Sequence, residues 1–255
     1  MPEGREQMIF RVLGSVAAVG RDGAELPLRA AKVRTLLGVL LAHADARVPA
    51  DVLRAALWPD RPPRSATANL QTYVSELRRV LPPVARRPRL VLDRSGYRLA
   101  VRPGELDHHS FEALAGEGRR ELAAGRPARA VEALRRACGL WRGEPFEDVP
   151  HVADEALAHR LREQHWVVRE SLVETRLALG DRAGLVAELD AMIAAAPLRE
   201  GLWLLQMRVL SDGGRRAEAL ARYRRLHRLL DTELGIGPGV ELRRLHQRIL
   251  TGQTW

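Results

Sequence analysis

The chain has 255 residues, 46% of them apolar, which is enough for one large or two ordinary packed domains. Its longest apolar run, residues 36–42, is far shorter than the roughly 20 residues that cross a membrane. The single cysteine, Cys138, excludes an internal disulfide. We therefore expect a soluble cytoplasmic protein with no membrane partner.

Basic charge is concentrated at the beginning of the chain. Residues 1–104 carry 18 Lys and Arg against 9 Asp and Glu, whereas residues 105–255 carry 23 of each kind. The whole net charge of +9 therefore lies in the first two fifths of the sequence. A concentrated excess of this kind raises the local affinity for phosphate backbones and predicts a polyanion partner for the first part alone.

The first 104 residues combine short extended segments with three helical patterns. Extended segments are predicted at residues 10–13, 15–19 and 25–28, helices at 30–43, 49–57 and 64–81, and a closing hairpin at 90–93 and 97–101 around Arg94-Ser95-Gly96. Three prolines make residues 58–63 a loop. A sheet, three helices and a hairpin in this order are typical of a winged helix, whose third helix enters the major groove.

The third helix has an apolar stripe and a polar face. At 100° per residue, the stripe comprises Ala66, Leu70, Val74, Leu77 and Leu81. The residues of the opposite face that we expect to contact bases are Thr72, Ser75, Glu76 and Arg79. Short hydroxylated side chains let a helix lie deep in the groove, an arginine can bind guanine with two hydrogen bonds, and a glutamate can accept from cytosine.

Six further side chains are candidates for contacts to the DNA backbone, which position a protein without specifying sequence. They are Lys32, Arg64, Asn69, Gln71, Arg78 and Arg94. For Lys32 and Asn69 the alternative is a solvated side chain, and for Arg94 it is an exposed turn residue with no partner.

After Gly104 the sequence changes to long helical patterns separated by glycines. Gly125, Gly180 and Gly214 each begin a similar Gly-turn-helix segment, and the last two lie 34 residues apart, the period of tetratricopeptide helix pairs. We therefore predict a mostly α fold. An N-terminal winged helix of the α+β class occupies residues 1–104, and an all-α tetratricopeptide-like domain occupies residues 105–255.

No enzyme site, cofactor or metal is predicted. The single lysine, Lys32, does not follow the glycines of a phosphate-binding loop. The three histidines His151, His159 and His165 are spaced so that they do not share one helix face, as a metal site on a helix requires.

Several stretches together resemble the Streptomyces antibiotic regulatory protein family, over residues 9–250. They include "KVRTLLGVLLAHADARVPADVLRAALWPD", "ANLQTYVSELRRVL", "GYRLAV", "CGLWRGEPFEDV" and "GRRAEALARYRRLHRLLDTELGIGPGVELRRLHQRIL". Each motif alone is degenerate, but their joint order and spacing are specific. The resemblance implies a winged helix of the response-regulator type followed by a bacterial transcriptional activation domain.

The resemblance also implies a function. Such proteins activate biosynthetic genes, usually for antibiotics and other secondary metabolites, by binding direct repeats upstream of promoters and recruiting RNA polymerase. Direct repeats imply that the protomers bind DNA head to tail. DNA binding implies that the protein is associated with the nucleoid in the cytoplasm. The third-helix positions that match Thr72, Ser75, Glu76, Arg78 and Arg79 face DNA, although related winged helices often have Arg at the position of Glu76. The loop expected to touch sigma factor or polymerase comprises Trp58, Pro59, Asp60, Arg61, Pro62 and Pro63.

A second hypothesis remains open at this stage. The chain can be a helical-repeat interaction scaffold whose basic N-terminal domain binds nucleic acid without sequence preference. Preference for one DNA sequence over another separates the two hypotheses.

Overall fold

The computed structural model describes residues 8–20, 22–94, 96–149 and 155–252, so that Ser95 and His151 lie outside the described residues. Within these ranges the chain is mostly helical with a few short strands near its beginning, as predicted. The elements are β1 (Ile9–Arg11), β2 (Ala17–Val19), α1 (Ala31–Ala42), β3 (Arg47–Pro49), α2 (Ala50–Leu57), α3 (Ala66–Val80), β4 (Leu90–Asp93), β5 (Gly96–Leu99), α4 (Asp107–Ala123), α5 (Pro127–Cys138), α6 (Glu155–Ala178), α7 (Leu185–Ala195), α8 (Glu200–Asp212), α9 (Arg216–Leu234) and α10 (Val240–Thr251).

The described residues form two compact units. The first unit lies within residues 1–119 and 135–166, and the second lies within residues 120–134 and 167–255. Helices α4, α5 and α6 each contribute residues to both units. The functional division at residue 104 stays a prediction, because compactness does not test which residues carry which function.

Helices α1, α2 and α3 pack together in the first unit, and α1 also contacts β5. The stripe predicted for the third helix is buried: Ala66, Leu70, Val74, Leu77 and Leu81 all have exposed fractions of 6% or less. The sequence therefore identified the packing face of α3 correctly, because a helix in contact with a core repeats its apolar residues at the helical period.

The hairpin of β4 and β5 belongs to a three-stranded sheet that the sequence did not predict. Strand β3 pairs antiparallel with β5, in the order β3-β5-β4, with Val48 opposite Tyr97. Pro49 ends β3 and precedes α2, so it is a strand residue where a first helical turn was expected. An edge strand tolerates this proline. A Cβ at Gly96 would lie 2.5 Å from the Val48 carbonyl oxygen, so the close approach of the two strands requires glycine there.

Asp107, the first residue of α4, binds the N-terminal segment of the first unit. Its carboxylate accepts from the backbone amides of Val12 at 2.9 Å and Leu13 at 3.2 Å, and it pairs with Arg142. Arg142 also donates its own backbone amide to the Leu13 carbonyl. Burial raises the pKa of Asp107 above its ordinary value, although these hydrogen bonds and Arg142 act in the opposite direction.

A second acidic residue, Glu105, forms a buried ion pair with Arg89. The side chain of Arg89 is 3% exposed and that of Glu105 is 2% exposed, and Arg89 Nη1 lies 2.6 Å from a Glu105 oxygen. Arg89 also donates to the Ala100 carbonyl, and Glu105 accepts from the Arg102 amide. Burial alone would raise the pKa of Glu105, but the hydrogen bonds from Arg89 and Arg102 outweigh it and hold this pKa below its ordinary value.

The second unit contains the predicted glycine helix stops. Gly125, Gly180 and Gly214 have φ of 67°, 77° and 74°, and the residue after each donates its amide to the carbonyl five residues earlier. This is the Schellman ending of a helix, which favours glycine in the left-handed region. Helix α8 packs against α7, α9 and α10. The assignment of these helix pairs to the tetratricopeptide type stays a prediction.

We expect Glu105→Gln to lower the free energy of unfolding by about 3 kcal/mol at neutral pH, since removing one partner leaves the buried charge of Arg89 uncompensated. Urea unfolding followed by circular dichroism measures the change. Glu25→Gln is the matched control, because it removes an exposed ion pair to Arg11, and its effect should stay below about 1 kcal/mol. Equal losses in both variants would contradict the role given to Glu105.

The difference between the native chain and Glu105→Gln should also depend on pH. Because the folded-state pKa of Glu105 lies below the ordinary value of 4.5, its ionised form stabilises the fold above that value. This stabilisation is lost as the pH falls through the lower, folded-state pKa. Urea unfolding of the native chain and of Glu105→Gln should give the full difference in free energy of unfolding at neutral pH. The same difference should be smaller at acidic pH.

Candidate nucleic-acid interface

The outer face of α3 is available to a ligand. Thr72, Ser75 and Arg79 are exposed, and Glu76 is half-buried beside them, opposite the stripe that packs into the first unit. Within the described residues Arg79 forms no ion pair or hydrogen bond to another side chain. The structure therefore brings the four residues predicted to contact bases together on one exposed surface.

The two hydroxyl groups of this face are hydrogen-bonded to their own helix. Thr72 Oγ1 donates to the Ala68 carbonyl at 3.1 Å, and Ser75 Oγ donates to the Gln71 carbonyl at 2.8 Å. Because each hydroxyl has one hydrogen and two lone pairs, the oxygens remain acceptors toward solvent. The amino groups of adenine and cytosine in a major groove are donors of the matching kind.

The residues predicted to contact the DNA backbone divide into two groups. Arg64 and Gln71 are exposed beside the outer face of α3, and the half-buried Asn69 donates its side-chain amide to Ser65 Oγ at 3.2 Å. Lys32 and Arg78, in contrast, donate to backbone carbonyls of other elements. Lys32 Nζ donates to the Leu57 carbonyl at the end of α2, and Arg78 Nε donates to the Leu90 carbonyl of β4 at 2.9 Å.

These internal hydrogen bonds give Lys32 and Arg78 structural roles. A basic group at the C-terminus of a helix binds carbonyls that have no partner within the helix, as Lys32 does for α2. Arg78 joins α3 to β4 and so fixes the hairpin beside the third helix. Their contacts to DNA stay predictions.

Arg94 lies at the tip of the β4–β5 hairpin. It is exposed, and its φ of 53° places a non-glycine residue in the left-handed region. A tight turn between paired strands requires this conformation, since Asp93 and Gly96 are opposite each other in the ladder. The contact of Arg94 to a DNA backbone stays a prediction.

The predicted polymerase-contact loop, residues 58–63, joins α2 to α3. Trp58 is half-buried and stacks on Tyr73 of α3, with ring centroids 6.3 Å apart. Pro59, Asp60, Arg61, Pro62 and Pro63 are all exposed. The loop is therefore attached to α3 by its first residue and presents its remaining side chains to solvent.

Four further arginines on the surface of the first unit were not predicted. Arg47 of β3 and Arg98 of β5 lie directly opposite each other in the sheet, and both are exposed. Arg86 and Arg87 are both exposed: Arg86 lies with Ala85 in a two-residue turn in which both have positive φ, and Arg87 follows the turn and pairs with Val84. Opposed like charges on neighbouring strands repel each other, so the Arg47–Arg98 pair concentrates positive charge on this face of the sheet. Only the pairing of β3 with β5 brings Arg47 opposite Arg98, and the sequence did not predict that pairing.

A metal centre and a membrane span are two other classes of site, and the described part of the chain has neither. Among residues 8–20, 22–94, 96–149 and 155–252, no group of three or more His, Cys, Asp or Glu side chains is arranged to hold a metal ion. In the same ranges, no helix combines the length and the apolar character needed to span a membrane.

Comparison with known proteins identifies relatives. Residues 106–250 match the bacterial transcriptional activator domain. Regulatory protein DnrI of Streptomyces peucetius is 35% identical over 253 residues, which cover 95% of this chain and 92% of DnrI. Regulatory protein AfsR of Streptomyces coelicolor is 41% identical over 246 residues, or 94% of this chain. The matched part is only 24% of AfsR, so the chain spans about a quarter of that relative's length.

A solved structure is similar over almost the whole chain. It is that of Mycobacterium tuberculosis EmbR in complex with a low affinity phosphopeptide, with a TM-score of 0.90 and 33% sequence identity. The similarity covers 97% of this chain and 66% of the EmbR chain.

A basic N-terminal segment, residues 1–104, with an exposed, hydroxylated helix face precedes the match to the bacterial transcriptional activator domain, and this combination is that of a bacterial transcriptional regulator. The chain belongs to the Streptomyces antibiotic regulatory protein family of transcriptional activators, as its sequence resemblance implied. This family consists of transcriptional regulators and not of enzymes.

A stability measurement tests the structural role of the hydrogen bond from Lys32 to the Leu57 carbonyl. Lys32→Ala should lower the free energy of unfolding by about 1 kcal/mol, because it removes a hydrogen bond from a charged group to the end of α2. Arg64→Ala, which changes an exposed side chain, should change it by less than about 0.5 kcal/mol. Urea denaturation of the two variants makes the comparison, and unchanged stability in Lys32→Ala would contradict the structural role.

Proposed function

We propose that the chain is a sequence-specific activator of a biosynthetic gene cluster, for an antibiotic or another secondary metabolite. It binds direct repeats in double-stranded DNA upstream of promoters, as head-to-tail protomers, and recruits RNA polymerase, with RNA polymerase and sigma factor as its partners. Residues 1–104 act as a winged-helix DNA-binding domain, and residues 105–255 as a tetratricopeptide-like activation domain. The protein acts at the nucleoid in the cytoplasm. Membership of the activator family supports this proposal.

The outer face of α3 is the observation that carries the proposal. Thr72 and Ser75 are short and present acceptor oxygens, and the guanidinium of Arg79 has no internal ion pair among the described residues. This combination suits the mixed donors and acceptors of a major groove. Glu76 adds an acceptor for a cytosine amino group, in a position where a contact to a phosphate would be repulsive.

Contacts to the DNA backbone come from the arginines around this face. Arg64 flanks α3, Arg94 extends from the hairpin, and Arg47 and Arg98 form an exposed like-charged pair on the neighbouring sheet. These contacts supply affinity that depends on salt concentration and orient α3 in the groove. Sequence preference then depends on α3 alone.

A band-shift titration at one fixed salt concentration tests the function. A promoter fragment containing direct repeats should be bound at least about a thousandfold more tightly than the same fragment with scrambled repeats. Equal affinity for the two duplexes would favour the alternative, a helical-repeat scaffold with a basic, non-specific nucleic-acid-binding domain. Salt must be held constant, because the backbone contacts alone change affinity by orders of magnitude.

Two arginine variants separate base contacts from backbone contacts. Arg79→Ala should cost about 1 to 3 kcal/mol on the preferred repeat and relax the preference at one base step. Arg64→Ala should weaken binding to preferred and scrambled duplexes by the same factor and lower the slope of affinity against salt by about one. Binding titrations on a panel of single-base variants measure both effects, and identical behaviour of the two proteins would show that the face is wrongly assigned.

The exposed loop that follows Trp58 is proposed as the contact to polymerase and sigma factor. The double variant Asp60→Ala, Arg61→Ala should bind the repeats with unchanged affinity but activate transcription less in a purified system. Because both side chains are exposed and make no hydrogen bond within the described residues, their removal should leave the fold unchanged. Loss of DNA affinity in this variant would place the loop on the DNA surface instead.

A further inference from the structure

The turn between α3 and β4 carries exposed positive charge that the function proposed above does not use. Arg86 and Arg87 are exposed, and within the described ranges neither side chain forms an ion pair or a hydrogen bond. No acidic residue occurs in residues 77–92, so the nearest carboxylates along the chain are those of Glu76 and Asp93. The turn therefore has no acidic neighbour in sequence that balances its charge.

The backbone of this turn has a conformation that its residues disfavour. Val84 and Arg87 exchange two backbone hydrogen bonds of 2.9 Å, and the central residues Ala85 and Arg86 have φ of 48° and 63°. Two successive residues with positive φ are typical of a type I′ turn, which favours glycine, asparagine and aspartate. Because a Cβ makes the left-handed region costly, the sequence of this turn does not minimise backbone strain.

The two ends of the loop are joined and attached to the interior of the first unit. Arg89 Nε donates to the Pro82 carbonyl at 3.3 Å, and the same guanidinium forms the buried ion pair with Glu105. Pro82, Pro83 and Pro88 each fix a φ angle of the loop. A loop restricted in this way loses little conformational entropy when its exposed side chains bind a partner.

The position of the turn in the chain indicates what that partner is. Helix α3 ends at Val80, and only residues 81–85 separate it from Arg86, a segment that spans at most about 18 Å. The major groove is about 12 Å wide, so the phosphates that border a groove occupied by α3 are within reach of the turn. The carbonyl end of a helix also carries partial negative charge that repels phosphates, and nearby arginines offset it.

We propose that Arg86 and Arg87 form a phosphate-binding turn, which contacts the DNA backbone beside the C-terminal end of α3. This rests on the proposed function, because it takes the partner of α3 to be DNA. The guanidinium groups donate hydrogen bonds to phosphate oxygens and add affinity without base preference. Arg64 lies before the other end of α3, so the backbone is held on both sides of the helix that enters the groove.

Band-shift titrations of the full chain over a range of salt concentrations test the phosphate-binding turn. Arg86→Ala and Arg87→Ala should each weaken binding to repeat and scrambled duplexes by the same factor, about five- to tenfold at low salt. Each should also lower the slope of affinity against salt by about one. Arg136→Ala is the matched control, since it removes an exposed arginine of α5 from the same unit and should leave affinity and slope unchanged.

Three results would overturn the phosphate-binding turn. They are native affinity and slope in both turn variants, losses of the same size in Arg136→Ala, and unchanged DNA affinity with weaker activation of transcription. The last would assign the turn to an acidic protein surface. Failure of the proposed function gives a different result, because the native chain would then bind repeat and scrambled duplexes with equal affinity.

A glycine variant separates the charge of the turn from its backbone conformation. Arg86→Gly removes both the guanidinium and the strain of a φ of 63°, whereas Arg86→Ala removes only the guanidinium. Arg86→Gly should therefore unfold at a higher urea concentration than Arg86→Ala, while the two variants bind DNA equally weakly. Native DNA affinity in Arg86→Gly would show that the guanidinium does not contact phosphate.

Discussion

The buried carboxylates of Glu105 and Asp107 determine how the first unit is assembled. Glu105 is held by Arg89, which precedes β4, and its backbone carbonyl accepts from Phe10 of β1. Asp107 binds the amides of the segment that follows β1. Because an unpaired charge in the interior is costly, each buried carboxylate stabilises the unit only while its hydrogen-bonding and cationic partners are in place. The hairpin is thereby fixed to the N-terminal strand, and Arg78 then fixes the same hairpin to α3.

Features that depend on local chemistry were predictable from the sequence. The buried stripe of α3 follows from the spacing of Leu70, Val74 and Leu77, and the helix ends at Gly125, Gly180 and Gly214 follow from the left-handed conformation that glycine adopts. The exposed face of α3 was predictable for the same reason. A helix with one packing face must present its remaining residues to solvent.

Features that depend on residues distant in sequence were not predictable. Strand β3 has three residues and ends in a proline, so it is too short for an alternating pattern, and it is recognised only by its pairing with β5. Lys32 resembles any solvated lysine until the end of α2 is placed beside it.

The repulsion between the opposed arginines Arg47 and Arg98 depends on ionic strength. Counter-ions screen the repulsion between them, so that added salt stabilises this edge of the isolated sheet. The exposed pair of Arg215 and Glu218 in the second unit is attractive, and the same counter-ions weaken it. Salt therefore shifts the stabilities of these two surfaces in opposite directions, and a polyanion bound over the sheet would replace the counter-ions that otherwise collect there.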